Sequence, residues 1–216
     1  VVMADFNLYK STALLFEGGF QNISSDNGNY NSLGVLAGTN LGISARFYET
    51  ILGYPPTELD MKLITKQRAE SIFKIHFWDV ATADKIESQK VAETIVDHSI
   101  NAGPKAAAYI TQEVLKKYFN KNIEIDGSIG MQTINHINSV NGTKLFVKIS
   151  QYRLIKYSKI NNPEWINVWK NRVYSLAKKF NVNISKKWFK LGLVLIVLTG
   201  IILYRNSKNN ITWNLP

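Results

Sequence analysis

Apolar residues recur at helical spacing through most of the first 180 positions. Phe6, Tyr9, Ala13 and Phe16 share one face, with Asp5 placed to cap the helix and Gly18-Gly19 placed to end it. Residues 21–42 lose that period and are rich in Asn, Ser and Gly, which predicts turns and a small β-hairpin. Ser44 can cap a short helix that stops at Gly53 and Pro55-Pro56, and Thr65 can cap another with Ala69, Ile72, Phe73 and Phe77 on one face. Val91, Ile95 and Val96 mark a helix over 88–102, ended by Gly103. Pro104 then suits the first position of a helix running to about Phe119. Asp126-Gly127 reads as a turn. A short helix near 131–137, a longer one over 143–157 and a last one opened by Asn162-Pro163 follow, the last with Trp165, Trp169, Val173 and Leu176 inward. The chain is predicted to be mostly α.

Near the end the pattern changes. Residues 191–204, LGLVLIVLTGIILY, carry no charge and have no polar stripe. Extended back to Trp188, the stretch reaches the roughly 17 residues that can just cross a bilayer. Lys190 can snorkel, and Trp188 and Tyr204 sit where interfacial aromatics belong. A buried core helix is the competing reading. The absence of a polar face favours a transmembrane helix over 188–204, after a linker at 181–187 and before a polar tail at 205–216. Residues 1–16 carry Asp5, Asn7 and Lys10, and no signal peptide is expected there.

Composition sharpens this division. The chain has 216 residues, 45% of them hydrophobic, enough to build a core, and no cysteine, which excludes disulfides and thiolate chemistry. Its net charge of +10 is uneven. Residues 1–140 hold 12 Lys and Arg against 15 Asp and Glu, whereas 141–216 hold 14 against Glu164 alone. The basic run leads into the apolar segment, so membrane rather than nucleic acid is the expected partner. No phosphate-binding loop or nucleophile elbow is present. His76, His98 and His136 have no metal-ligand spacing. Asn122-x-Glu124-x-Asp126-Gly127 fails as a calcium loop, because its twelfth position is Thr133. No metal or organic cofactor is expected.

One stretch carries candidate chemistry. In Phe16-Glu17-Gly18-Gly19-Phe20, the glutamate ends a helix between two aromatics. The negative helix terminus, apolar neighbours and a like charge at Asp26 would all favour its protonated form. Gly18 and Gly19 would let the backbone turn and leave room for a ligand. Asp26 lies in a polar turn, where a carboxylate stays ionised. An apolar acid paired with a polar carboxylate is the division of labour in glycoside hydrolysis, although a solvated glutamate at a helix end is the plainer reading.

The wider pattern resembles a known family. FEGGF, then Asp26-Asn27-Gly28, then Gly38-Thr39-Asn40-Leu41-Gly42-Ile43-Ser44 is similar to the E-G-G-[YF]…D-x-G-G-x-T-N-x-G-[IV]-[ST] segment of glycoside hydrolase family 108, lysozyme-like N-acetylmuramidases found as phage endolysins and secretion-associated muramidases. Most members run the Asp–Gly turn directly into Gly–Thr–Asn, and here residues 29–37 appear as an insertion. Phe77-Trp78, Asp97-x-x-x-Asn101-x-Gly103-Pro104, Gln112 with Asp126-Gly127-Ser128-Ile129-Gly130-x-x-Thr133, Tyr152-Arg153 and Trp165…Trp169…Arg172 continue the resemblance in order.

The resemblance implies a lysozyme-like, two-lobed α+β fold, with a muramidase region at 1–80 and a helical, peptidoglycan-binding companion at 81–180. Glu17 would be the catalytic acid, Asp26 would position or activate water, and Thr39 would assist. Ser32 competes with Thr39, because Glu17-x8-Asp26-x5-Ser32 matches the spacing of phage-type lysozymes. Asp97 and Asn101, one turn apart on one helix face, would border the cleft, or else serve the helix junction at Gly103-Pro104. Trp78 would stack on sugar or belong to the core. The implied partners are peptidoglycan glycan strands and a holin or export system. The implied site is the bacterial inner membrane. Lys178, Lys179, Lys186, Lys187 and Lys190 precede the uncharged run 191–204 and only Arg205 and Lys208 follow closely, which places the catalytic side in the cytoplasm. A lytic transglycosylase and a non-catalytic wall-binding protein are the alternatives.

Overall fold

The computed structural model describes residues 2–16, 18–160 and 163–184. The chain divides into two compact units, Val1–Ile149 and Ser150–Pro216. Ala4 N–H donates to Ile86 O and Asp5 N–H donates to Gln89 Oε1, so the start of the chain is tied to segments beyond position 80.

In the first unit, α1 (Phe6–Phe16) begins where expected, with Asp5 Oδ1 accepting from Asn7 N–H at 2.8 Å. A 3₁₀ turn (Asn27–Asn29) and a hairpin of β1 (Thr39–Asn40) and β2 (Ile43–Ser44) follow. The strands pair antiparallel, Thr39 with Ser44 and Asn40 with Ile43. Leu41 and Gly42 join them, both at positive φ (48° and 74°), as a tight right-twisted hairpin requires. Ser44 then caps α2 (Ala45–Leu52), and Gly53, at φ 76°, ends it.

Sequence reading treats Pro55-Pro56 only as a stop, yet a further helix, α3 (Glu58–Lys62), starts directly after it. Thr57 and Asp60 form a reciprocal capping box there. Thr65 caps α4 (Lys66–Phe73), which runs on into a π turn (Lys74–Trp78). Asp79 N–H reaches back five residues to Lys74 O, and Lys74 Nζ pairs with the Asp79 carboxylate at 2.6 Å. The extra residue in this turn lets the consecutive Phe77 and Trp78 both be buried. Trp78 stacks on Tyr9 at 5.8 Å, meets Phe6 edge-on at 5.6 Å and donates its indole N–H to Asp84.

A 3₁₀ turn (Ala83–Lys85) leads to α5 (Gln89–Ala102), α6 (Pro104–Phe119) and α7 (Met131–Asn138). Every residue of α5 from Val91 to Ser99 is buried, including Glu93, Asp97 and His98. It is a central helix surrounded on all faces rather than an amphipathic surface helix. The last elements are α8 (Gly142–Tyr157) and α9 (Pro163–Lys179). In the second unit Tyr157 packs against Trp169, ring centroids 5.4 Å apart, and Val173 and Leu176 are buried as their spacing predicts.

The mostly helical class with one small hairpin is therefore observed. Among the described residues no helix is long and apolar enough to cross a membrane. The expected span at 188–204 and the tail at 205–216 lie outside the described residues.

The α3 cap gives a pH-dependent test. Hydrogen bonds from the Thr57 side chain and backbone hold the Asp60 carboxyl below its ordinary value. A folded-state pKa that is depressed adds stability above the unfolded value, near 3.9, and loses it as pH falls through the lower folded value. Thr57→Ala should cost about 1 kcal/mol at neutral pH. The gap in Tm from the parent should narrow below about pH 3.9, as measured by thermal denaturation across an acid series.

Candidate active site

The chain around the candidate residues is held by backbone pairing. Gln21 and Thr39 bridge antiparallel, each N–H donating to the other's carbonyl at 2.9 Å. The segment that follows Gly18-Gly19 is thereby fastened to β1. Gly38, at φ 93°, makes this possible. A Cβ there would lie 2.7 Å from both Gln21 O and the Phe20 ring, so only glycine fits the junction. Lys62 Nζ sits 4.8 Å above the Phe20 ring and pairs with Glu58, whose other oxygen accepts from Asn22 Nδ2.

Asp26 caps the 3₁₀ turn, its Oδ1 accepting from Gly28 N–H at 2.8 Å. It is half-buried, and its other oxygen has no hydrogen bond among the described residues. Thr39 is also half-buried, and its Oγ1 donates to Asn29 Oδ1 at 2.6 Å. Asn29 connects the two. Its N–H donates to Asp26 O at 3.0 Å, and its own carbonyl accepts from Ala37 and Gly38 N–H at 2.9 Å each. The stretch at 29–37 therefore leaves and returns at one residue. Tyr30 bridges Leu36 across its neck, and Asn31 Oδ1 accepts from Leu33 and Val35 N–H inside it. The insertion is a closed loop hung beside the site, and it does not separate Asp26 from Thr39.

Ser32 is in that loop, exposed, with its backbone N–H donating to Glu49 Oε2 at 2.7 Å. Glu17 lies outside the described residues. Gly18 and Gly19 are exposed, with no atom within 4 Å of a Cβ placed on either. The backbone bends at Gly19, and the two glycines leave open space around that bend. Trp78 is fully buried and packs against Phe6 and Tyr9, the core position that the sequence allowed beside a sugar-stacking one. Asp97 is also fully buried, and within this packed arrangement it reaches no open cleft. Asn101, one turn on, is only partly covered, and its Nδ2 is buried without a hydrogen-bond partner among the described residues.

The Asp126-Gly127 turn is structural, as expected. Gln112, itself buried, donates to Asp126 Oδ1 at 2.7 Å and accepts from Gly127 N–H at 2.9 Å. The bonds from Gln112 and from Ser128 N–H hold the Asp126 carboxyl below its ordinary value. No group of His, Asp and Glu among the described residues could hold a metal ion. A cavity of about 220 Å3, lined among others by Ser88, Lys90, Asn141 and Thr143, includes none of the expected site residues.

Sequence reasoning passed over Gln21 and Asn29. Gln21 Oε1 accepts from Asn29 Nδ2 at 2.9 Å, and Gln21 Nε2 donates back to Asn29 Oδ1 at 3.2 Å. The signal available was an Asn- and Gln-rich stretch, which fits solvated turns as readily as a buried amide cluster.

The sequence model of the family described as Glycosyl hydrolase 108 matches residues 11–103. That range contains Glu17, Asp26, Thr39, Asp97 and Asn101. No curated protein matches the chain. Among solved structures, SagA of Brucella abortus is similar with a TM-score of 0.69 at 21% identity, over 81% of this chain and 92% of that one, a likeness of fold. The motifs, the hairpin that carries them and the matched range agree: residues 11–103 match glycosyl hydrolase family 108, and that region marks the chain as a glycoside hydrolase.

Proposed function

We propose that the chain is a peptidoglycan hydrolase of the N-acetylmuramidase type, cleaving the β-1,4 bond between N-acetylmuramic acid and N-acetylglucosamine. The observation that carries this reading is the family match over 11–103, which encloses the acid, the carboxylate and the hydroxyl in their expected order. Glu17 protonates the glycosidic oxygen as the bond to the anomeric carbon breaks. A water on the opposite face attacks that carbon and passes a proton to Asp26. The free Asp26 oxygen and its place on a fixed turn support this role. Thr39 holds the same water through its hydroxyl oxygen.

Glu17→Gln should keep the fold and lower turnover of purified sacculi about 10²–10⁴-fold, the usual worth of a general acid. Asp26→Asn should be damaging as well. Thr39→Ala should reduce turnover more than Ser32→Ala, because Thr39 stands at the Asp26 turn and Ser32 in the outer loop. Near-normal lysis by the Glu17 variant would remove the assignment, and the reverse order for the last pair would move the hydroxyl to Ser32.

The anchor extends this proposal. The apolar stretch at 188–204 holds the enzyme in the inner membrane. The excess of lysines before it keeps the catalytic side in the cytoplasm until a holin lesion or an export step provides access to the wall. Phage lysis is the setting this arrangement fits best, with secretion-linked wall remodelling second. Protease added outside intact spheroplasts should leave residues 1–180 uncut; digestion of that region from outside would reverse the orientation.

A further inference from the structure

Resting on the catalytic roles just given to Asp26 and Thr39, we infer that Asn29 is a positioning residue. It fixes the polarity of the Thr39 hydroxyl, so that Thr39 can only accept a proton from the attacking water. Asn29 is 0% exposed. Its Nδ2 donates to Ile23 O at 2.9 Å and to Gln21 Oε1 at 2.9 Å. The backbone carbonyl of Ile23 can only accept, so it determines which end of the amide is nitrogen. Oδ1 must then face Thr39 Oγ1 at 2.6 Å and Gln21 Nε2 at 3.2 Å. An amide oxygen has no hydrogen to give. The single hydroxyl hydrogen of Thr39 is therefore committed to Asn29, and what remains on Oγ1 is lone pairs.

The consequence for a water at this site is directional. Such a water donates one hydrogen to Thr39 and the other to the Asp26 carboxylate, leaving an oxygen lone pair for the anomeric carbon. A Thr39 hydroxyl free to rotate could instead donate to the water and occupy that lone pair. Asn29 also sets the separation of the two groups, since its N–H binds Asp26 O and its carbonyl binds the residues that enter β1. Asn29 is the first residue of the loop that lengthens this chain relative to its family pattern. The loop thus supplies the amide that organises the pair it interrupts in sequence.

Asn31 provides the contrast. It is buried in the same loop and donates to Pro56 O at 3.0 Å, but it makes no bond to Thr39. The test uses the full chain acting on purified sacculi, with each variant assayed below its own melting temperature. Asn29→Ala should lower kcat about tenfold or more, the equivalent of one well-aligned hydrogen bond, with KM nearly unchanged. Asn31→Ala should lower Tm and leave kcat close to the parent. In a Thr39→Val background, Asn29→Ala should cause little further loss of kcat, because it acts through the hydroxyl already removed.

Asn29→Asp is the same size and carries the same test if the alanine variant does not fold. Its carboxylate has no donor for Ile23 O or Gln21, so its activity should recover toward acid pH, where the new carboxyl regains a proton. Parent-like kcat in both Asn29 variants, full additivity with Thr39→Val, or failure of both variants to fold would each overturn the inference, the last by assigning Asn29 to stability alone. Parent-like kcat in Asp26→Asn and Thr39→Val would overturn the catalytic assignment itself.

Discussion

A buried amide organises the turn and hairpin that carry Asp26 and Thr39. Asn29 uses its backbone N–H, its carbonyl and all of its side-chain polar groups inside a space of a few residues. Burying an amide without partners costs several kcal/mol, on the order of 2–7 depending on the reference state. A fully bonded one instead specifies a single arrangement. Here that arrangement joins the Asp26 turn, the Gln21 bridge and β1. The other features near the site are compatible with it for steric reasons. Gly38 clears space for Phe20 and Gln21 O, and Leu41-Gly42 accepts the positive φ values of a tight hairpin.

The first unit also holds a buried aromatic cluster. Trp78, Tyr9 and Phe6 pack together, and the π turn at Lys74–Trp78 is what places two consecutive aromatics inward. The stretch of α5 from Val91 to Ser99 is buried with Glu93, Asp97 and His98 along it, none of them without a partner. Gln89 Nε2 donates to Glu93 Oε1 and to Asp5 O, which ties this helix to the start of the chain. Buried charged groups of this kind are costly to strand, so removing one partner destabilises more than the pair itself contributes.

Much of this was legible in the residues. Ser44 and Gly53 mark the ends of α2, Thr65 marks the start of α4, and Gly103-Pro104 separates α5 from α6, because caps and breakers act locally. The family motif could be read because it is nearly contiguous. What was not legible depends on distant partners. Asn29 and Asn31 look like turn residues until Ile23 O, Thr39 and Pro56 O are seen around them. α3 was hidden behind two prolines, although Thr57-x-x-Asp60 is itself a capping signal. Asp97 and Trp78 have the composition of a sugar-binding face, and only the packing around α5 and α1 assigns them to the interior.

In the proposed reaction Glu17 protonates the glycosidic oxygen while Asp26 and Thr39 hold the water that attacks the anomeric carbon of a muramic acid residue. Digestion of purified sacculi in heavy-oxygen water, followed by mass spectrometry of the released fragments, tests it directly. The account predicts new reducing ends on N-acetylmuramic acid, each carrying one heavy oxygen from solvent. Unlabelled anhydro ends would mean that no water attacks and would identify a lytic transglycosylase; labelled ends on N-acetylglucosamine would place the cut at the other bond.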